Sequence, residues 1–152
     1  MVIEIFADNL RKSDTLNNAL QVFCKLIIRS EDKAYVWHTK IDDLYFFPSG
    51  ALNSKETEAD CIKRLQHNYN LQNITAKKTI TIKEYFPENT FINHYYVLYL
   101  TNTDELSCEN EGVSSMWYDF LELLNLFDQY DGSNPHGTEI YEREFIALVN
   151  SI

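Results

Sequence analysis

The sequence lacks any run of about twenty apolar residues, which excludes a helix that crosses a bilayer. It is poor in proline and glycine, with three and four among 152 residues, so it is neither a low-complexity nor a collagen-like chain. Basic residues are in deficit. Thirteen Lys and Arg stand against 23 Asp and Glu, a net charge of −10. Adjacent basic pairs such as Arg11-Lys12 and Lys77-Lys78 are isolated from one another. Long DNA or RNA is held by a basic stripe that displaces condensed counterions, and no such stripe can be drawn here. There is also no glycine-rich phosphate loop and no dinucleotide fingerprint. The N-terminus, Met1-Val2-Ile3-Glu4, lacks the basic segment and apolar stretch of a secretory signal, so a cytoplasmic setting is expected.

Cysteines number three, Cys24, Cys61 and Cys108. Their odd count and wide spacing fit neither a disulfide framework nor a zinc site. Cys24 and Cys61 lie within apolar patterns, where a free thiol behaves as a small buried hydrophobe.

What is present is a core. Hydrophobic residues make up 45% of the chain and aromatics 14%, and a chain of this length buries roughly two-thirds of its unfolded surface. One domain over residues 1–152 is expected. Residues 2–7 alternate and predict a short strand. The near-continuous apolar run 22–28 predicts a buried central strand, and 34–38 returns as its hairpin partner after a Ser-Glu-Asp-Lys turn. Residues 44–47 form a further strand, closed by Pro48-Ser49-Gly50. A loop from Gly50 to Glu56 then leads to a helix over 57–69. Thr57 is its N-cap, with Glu58 and Asp60 in the first turn and Cys61, Ile62, Leu65 and Tyr69 on one apolar face. Residues 79–85 and 91–100 predict two more strands around a turn at Pro87-Glu88-Asn89. A polar loop over 102–115, a strand at Met116-Trp117-Tyr118, a helix through Leu121 to Leu126 and a closing helix from Thr138 complete the order. The class is α+β.

The stretch Phe47-Pro48-Ser49-Gly50-Ala51-Leu52-Asn53-Ser54-Lys55-Glu56-Thr57 resembles the opening of a Nudix box. That family's pattern is a Gly, five residues, a Glu, seven residues, then Arg-Glu-U-x-Glu-Glu-x-Gly-U, with U apolar. Gly50, Glu56 and Arg64 fall at the required intervals. The resemblance implies a Nudix-like α/β/α sandwich around a mixed β-sheet, with the degenerate box over residues 50–71. In the family, three glutamates on one helix face hold Mg²⁺ or Mn²⁺, because hard cations prefer oxygen donors that i, i+3, i+4 spacing brings together. Counted from Gly50, those positions hold Leu65, Asn68 and Tyr69. With one residue lost from the loop they hold Arg64, His67 and Asn68, while Leu65 and Leu71 take apolar positions and Asn70 replaces the Gly. Neither register supplies a carboxylate.

Two functional readings follow. The first is a non-catalytic module that binds a nucleotide-like ligand or a protein partner, with Trp37, Phe47, Arg64, His67 and Asn68 as ligand contacts and no cofactor. The second is an active hydrolase of a nucleoside diphosphate-linked substrate. It would draw metal ligands from Glu56 and Glu58 for Mg²⁺ or Mn²⁺, and a base from the acidic loop holding Glu105, Glu109 and Glu111. Glu56, Glu109 and Glu111 would then be catalytic. Glu56 and Glu58 also have a plainer role beside a helix N-terminus, whose dipole favours anions. Asp60 and Arg64 are spaced for a surface ion pair. His38, His67, His94 and His136 show no metal-ligand spacing. Aromatic residues are numerous enough for an apolar patch, which leaves room for a homodimer.

Overall fold

The computed structural model describes residues 1–7, 10–41, 43–103, 106, 113–128 and 135–152. Eight strands form one mixed sheet. They are β1 (Val2–Phe6), β2 (Ala19–Ser30), β3 (Lys33–Thr39), β4 (Leu44–Phe46), β5 (Ser49–Ala51), β6 (Lys77–Tyr85), β7 (Asn89–Tyr99) and β8 (Val113–Asp119). Among the described residues three α-helices accompany them, α1 (Glu58–Asn68), α2 (Phe120–Asp128) and α3 (Pro135–Val149), with a short 3-10 turn over Lys12–Thr15. The main path runs β1-β6-β7-β2-β3-β4, with β5 paired to β2 and β8 to β3.

The predicted hairpin forms, its turn carried by Glu31 at a φ of 55° and its register set by Ser30 opposite Lys33. The second hairpin, β6 with β7, is antiparallel as expected. Two pairings are parallel, β1 with β6 and β2 with β7, and they make the sheet mixed.

The run 22–28 is apolar on both faces because both faces are covered. Its even members, Cys24, Leu26 and Ile28, face a core shared with Cys61, Ile62, Leu65, Tyr69 and Leu71 of α1 and its exit. Ile27 faces the other way, toward Phe120, Leu123 and Phe127 of α2 and Tyr141, Ala147 and Leu148 of α3. One helix therefore lies on one face and two on the other. No helix among the described residues is long and apolar enough to cross a membrane.

Two sequence expectations need correction. Gly50 does not open a loop; it lies within β5, its Cα opposite Cys24 of β2, and the loop begins only after Ala51. The last strand is longer than Met116-Trp117-Tyr118, because Ser114 and Ser115 continue the ladder against His38 and Trp37 of β3. Both serines are exposed and polar, which makes them resemble a loop in sequence.

Candidate functional site

The residues of the resemblance meet where β5 passes under α1. Thr57 caps the helix: its hydroxyl accepts from the Asp60 N–H at 3.1 Å, and the Asp60 carboxylate accepts from the Thr57 N–H at 3.2 Å. This reciprocal box satisfies helix donors that would otherwise lack partners. It also uses up Asp60, so the expected Asp60–Arg64 pair does not form.

Arg64 turns instead to Glu56. Its Nε donates to one Glu56 oxygen at 3.0 Å and its Nη2 to the other at 3.1 Å, while Nη2 also donates to the Ala51 carbonyl at 2.7 Å. The Asn53 N–H adds a bond to Glu56 at 3.0 Å, and Lys55, at a φ of 71°, bends the loop that permits it. The close approach depends on Gly50, since a Cβ there would sit 2.8 Å from Leu65 Cδ2. The Arg64 hydrogen bonds, followed by that of Asn53, hold the Glu56 carboxyl down at about 2. A group depressed from its unfolded value of 4.5 stabilises the fold above that value and loses the effect as pH falls through about 2. Wild type should therefore exceed Arg64→Met in urea midpoint near neutral pH, with the gap closing across that acidic window. A gap independent of pH would remove the ion pair from the account.

Glu58 is engaged by a second set of donors. Lys78 Nζ lies 2.7 Å from its Oε1, the Tyr96 hydroxyl donates to the same oxygen, and His94 Nδ1 stands 3.7 Å away. Burial pushes this carboxyl up, but Lys78 and Tyr96, with His94 beside them, hold it below the ordinary range. His94 is itself lowered, by burial first, against the pull of Glu58, and its Nδ1 shares a 2.9 Å bond with the Thr81 hydroxyl. Both carboxylates expected to serve a metal are thus held by cations of the chain itself.

The two box registers differ physically. Leu65 and Tyr69 are 3% and 2% exposed, inside the core. Arg64 is half-buried, and His67 and Asn68 are exposed, on the solvent side of α1. The helix exit matches the count with one residue lost: Leu71 is buried, and Asn70 takes a φ of 58°, the left-handed conformation that a glycine adopts without strain. The Leu71 N–H closes the turn on the Gln66 carbonyl at 2.7 Å.

Of the other ligand candidates, Trp37 lies on β3. Its ring is half-buried and packs on Tyr69 at 6.1 Å, on the α1 face of the sheet. Phe47 is a correction. It is fully buried on the opposite face against Tyr95 and Phe127, because Pro48 and Ser49 carry the chain into β5 behind it. Glu105, Glu109 and Glu111, with Cys108, lie outside the described residues, as does the His136 side chain. Among the described residues no three His, Cys, Asp or Glu side chains gather as a metal would need.

Sequence reading missed a buried polar network on the α3 face. Glu144 accepts from the Phe47 N–H at 2.7 Å, from the Tyr95 hydroxyl and from Arg143 Nε at 3.1 Å. Arg143 Nη1 reaches Glu84 at 2.9 Å, and the Asn93 amide donates to the same Glu84 oxygen at 2.9 Å. A signal was available. Glu84 keeps phase with Ile80 and Ile82, Asn93 with Tyr95 and Val97, and Lys25 interrupts an apolar run. Polar residues on the buried phase of three strands mark a shared interior site.

No protein-family model matches the sequence, and no curated protein matches it either. Solved structures do. A NUDIX-family hydrolase from Clostridium perfringens is 18% identical, with a TM-score of 0.57 over 84% of this chain and 95% of that one. A MutT protein from Methanosarcina mazei is 12% identical at 0.60, over 84% and 94%. An Ap4A hydrolase from C. elegans is 15% identical at 0.58, over 87% and 99%. At these identities the likeness speaks for architecture, and the architecture agrees with the box residues: the chain has the Nudix fold.

Proposed function

We propose that this chain is a Nudix-fold binding module that takes a nucleotide-like ligand without hydrolysing it. The observation that carries this reading is the Arg64 guanidinium, bonded to both Glu56 oxygens and to the Ala51 carbonyl. In the register favoured by Asn70 and Leu71, Arg64 stands at the first of the three glutamate positions. A fixed monovalent cation then neutralises the oxygens that a divalent ion would use.

Hydrolysis of a phosphoanhydride in this family rests on metal charge to stabilise the developing anions. Arg64, already committed to Glu56, has neither the charge nor the open coordination to replace it. The residues that remain available are Trp37, whose ring offers a stacking surface, and His67 and Asn68 at the exposed end of α1. An Ap4A hydrolase and a dihydroneopterin triphosphate pyrophosphohydrolase share the fold, which favours phosphorylated heterocycles as the ligand class. The setting proposed is cytoplasmic.

Calorimetric titration with Mg²⁺ and Mn²⁺, alongside a nucleotide panel assayed for binding and phosphate release, tests the reading. The expected result is no saturable metal site, no turnover, and nucleotide binding that EDTA leaves unchanged. Metal-dependent turnover abolished by Glu56→Gln would establish the hydrolase instead, with its ligands relocated to Glu56, Glu58 and the 105–111 loop. Failure of every nucleotide to bind would leave a protein as the partner.

A further inference from the structure

β1 ends the sheet path and has one neighbour, β6. In a parallel pairing, alternate residues of a strand bond to that neighbour with both backbone groups. Here they are the odd ones. The Met1 carbonyl accepts from the Thr81 N–H at 3.1 Å, and the Ala7 N–H donates to the Tyr85 carbonyl at 2.9 Å. The N–H and C=O groups of Val2, Glu4 and Phe6 therefore point off the sheet, and among the described residues no backbone bond reaches them. Edge strands of soluble proteins usually blunt such a row with lysine, proline or a bulge. β1 has none of these. Its exposed apolar side chains are Val2 at 56% and Phe6 at 37%, with Met1 before them at 78%.

The strand is also a chemical palindrome, Val-Ile-Glu-Ile-Phe. When a second copy is turned antiparallel about Glu4, Val2 meets Phe6, Ile3 meets Ile5 and Glu4 meets Glu4. In that register the outward-pointing backbone groups of one copy stand opposite those of the other. A shift of one residue would set them against groups already bonded to β6. Ile3 and Ile5 join the core under α2 and α3, and Val2 and Phe6 alternate to the other face, where the Phe6 ring stacks on Tyr85 at 4.5 Å. Apolar thus meets apolar on both faces.

Glu4 against Glu4 is the pair that would repel, and the fold supplies the counter-charge. The Lys12 ammonium stands 3.4 Å from the Glu4 carboxylate, and Lys83 is its register partner on β6. The two carboxylates would meet among two ammonium groups from each copy, so opposite charges are matched across the seam.

We propose that β1 is a self-association edge, where two copies of this chain pair antiparallel about Glu4 and join their sheets into one. Each outward pair exchanges two backbone hydrogen bonds across the seam. The contact is isologous, so it closes at a dimer and leaves no edge of its own kind free. Five residues from each copy make a small interface, and the dimer is accordingly weak and concentration-dependent. The net charge of −10 on each copy opposes their approach, so added salt strengthens the pairing. Pairing at this edge does not depend on what the α1 site binds.

Sedimentation velocity of the intact protein, run up to millimolar concentration with and without added salt, should show the mean mass rising from monomer toward dimer. Hydrogen exchange read residue by residue gives the register. The Val2, Glu4 and Phe6 amides should gain protection with concentration, while those of Ile3 and Ile5 are protected throughout. Glu4→Pro removes an N–H that β6 does not use, so the fold, followed by circular dichroism, should persist. Association should weaken about tenfold or more, because two symmetry-related donors are lost. Val2→Lys, which sets an ammonium against the second copy's Phe6, should weaken it as well. A protein that stays monomeric at every concentration and salt level would overturn the proposal. So would a dimer whose Val2, Glu4 and Phe6 amides exchange as fast as in the monomer, or one that Glu4→Pro and Val2→Lys leave unchanged.

Discussion

Replacing Glu144 by alanine is expected to lower the unfolding free energy by about 3–5 kcal/mol, the usual cost of leaving a buried charge without its partner. Glu144 is fully buried, and three donors depend on it. Two of them cannot turn to water. The Phe47 N–H is fixed in the chain between β4 and β5, and Tyr95 is fully buried at the centre of β7. The third, Arg143, would keep Glu84 at 2.9 Å and so retain part of its compensation. Glu144→Gln preserves the shape and an acceptor for Phe47 but removes the charge facing Arg143, so a smaller loss is expected. Urea denaturation followed by circular dichroism measures both. A loss below about 1 kcal/mol for Glu144→Ala would mean that the network is decorative, since a single neutral hydrogen bond contributes that much.

The triple variant Arg64→Glu, His67→Glu, Asn68→Glu is expected to bind a divalent cation, and wild type is expected not to. All three positions lie on the solvent side of α1 at i, i+3 and i+4, so new carboxylates would converge without entering the core. Removing Arg64 also releases both Glu56 oxygens and the Ala51 carbonyl, adding oxygen donors to the same place. Affinity on the order of 10⁻⁴–10⁻³ M is expected, the range of loosely preorganised oxygen sites. Calorimetry with Mn²⁺ should show saturation in the variant and none in wild type. Saturation in both, with equal affinity, would mean that the Arg64 clamp does not block the metal. Saturation in neither would mean that the register read from Asn70 and Leu71 is wrong.

These cases show where sequence reading succeeds. The β2–β3 hairpin, the Thr57 cap and the apolar face of α1 were legible because each depends on residues close in sequence whose periodicity or side-chain chemistry admits few conformations. The box register was not settled by counting. The left-handed conformation of Asn70, a backbone fact that side-chain identity suggests without fixing, favours the count with one residue lost. Phe47 was misassigned for a different reason. Its neighbours Tyr45 and Phe46 are equally aromatic, and which ring faces inward depends on the phase of a three-residue strand, too short to reveal its own alternation. The contact between Arg64 and Glu56, eight residues apart, was hidden as well, because Asp60 offered a nearer partner until the cap claimed it.

The two parallel pairings set a schedule for making the protein. β1 must wait for β6 and β2 for the far end of β7, whose register runs to Arg29 opposite Tyr99. Contacts spanning so much chain form slowly, since the intervening segment must be ordered before they give any return. On the ribosome, the first two-thirds of the polypeptide would therefore leave the exit tunnel with its longest apolar strand open along one edge. Such a nascent chain is a natural client for a holding chaperone.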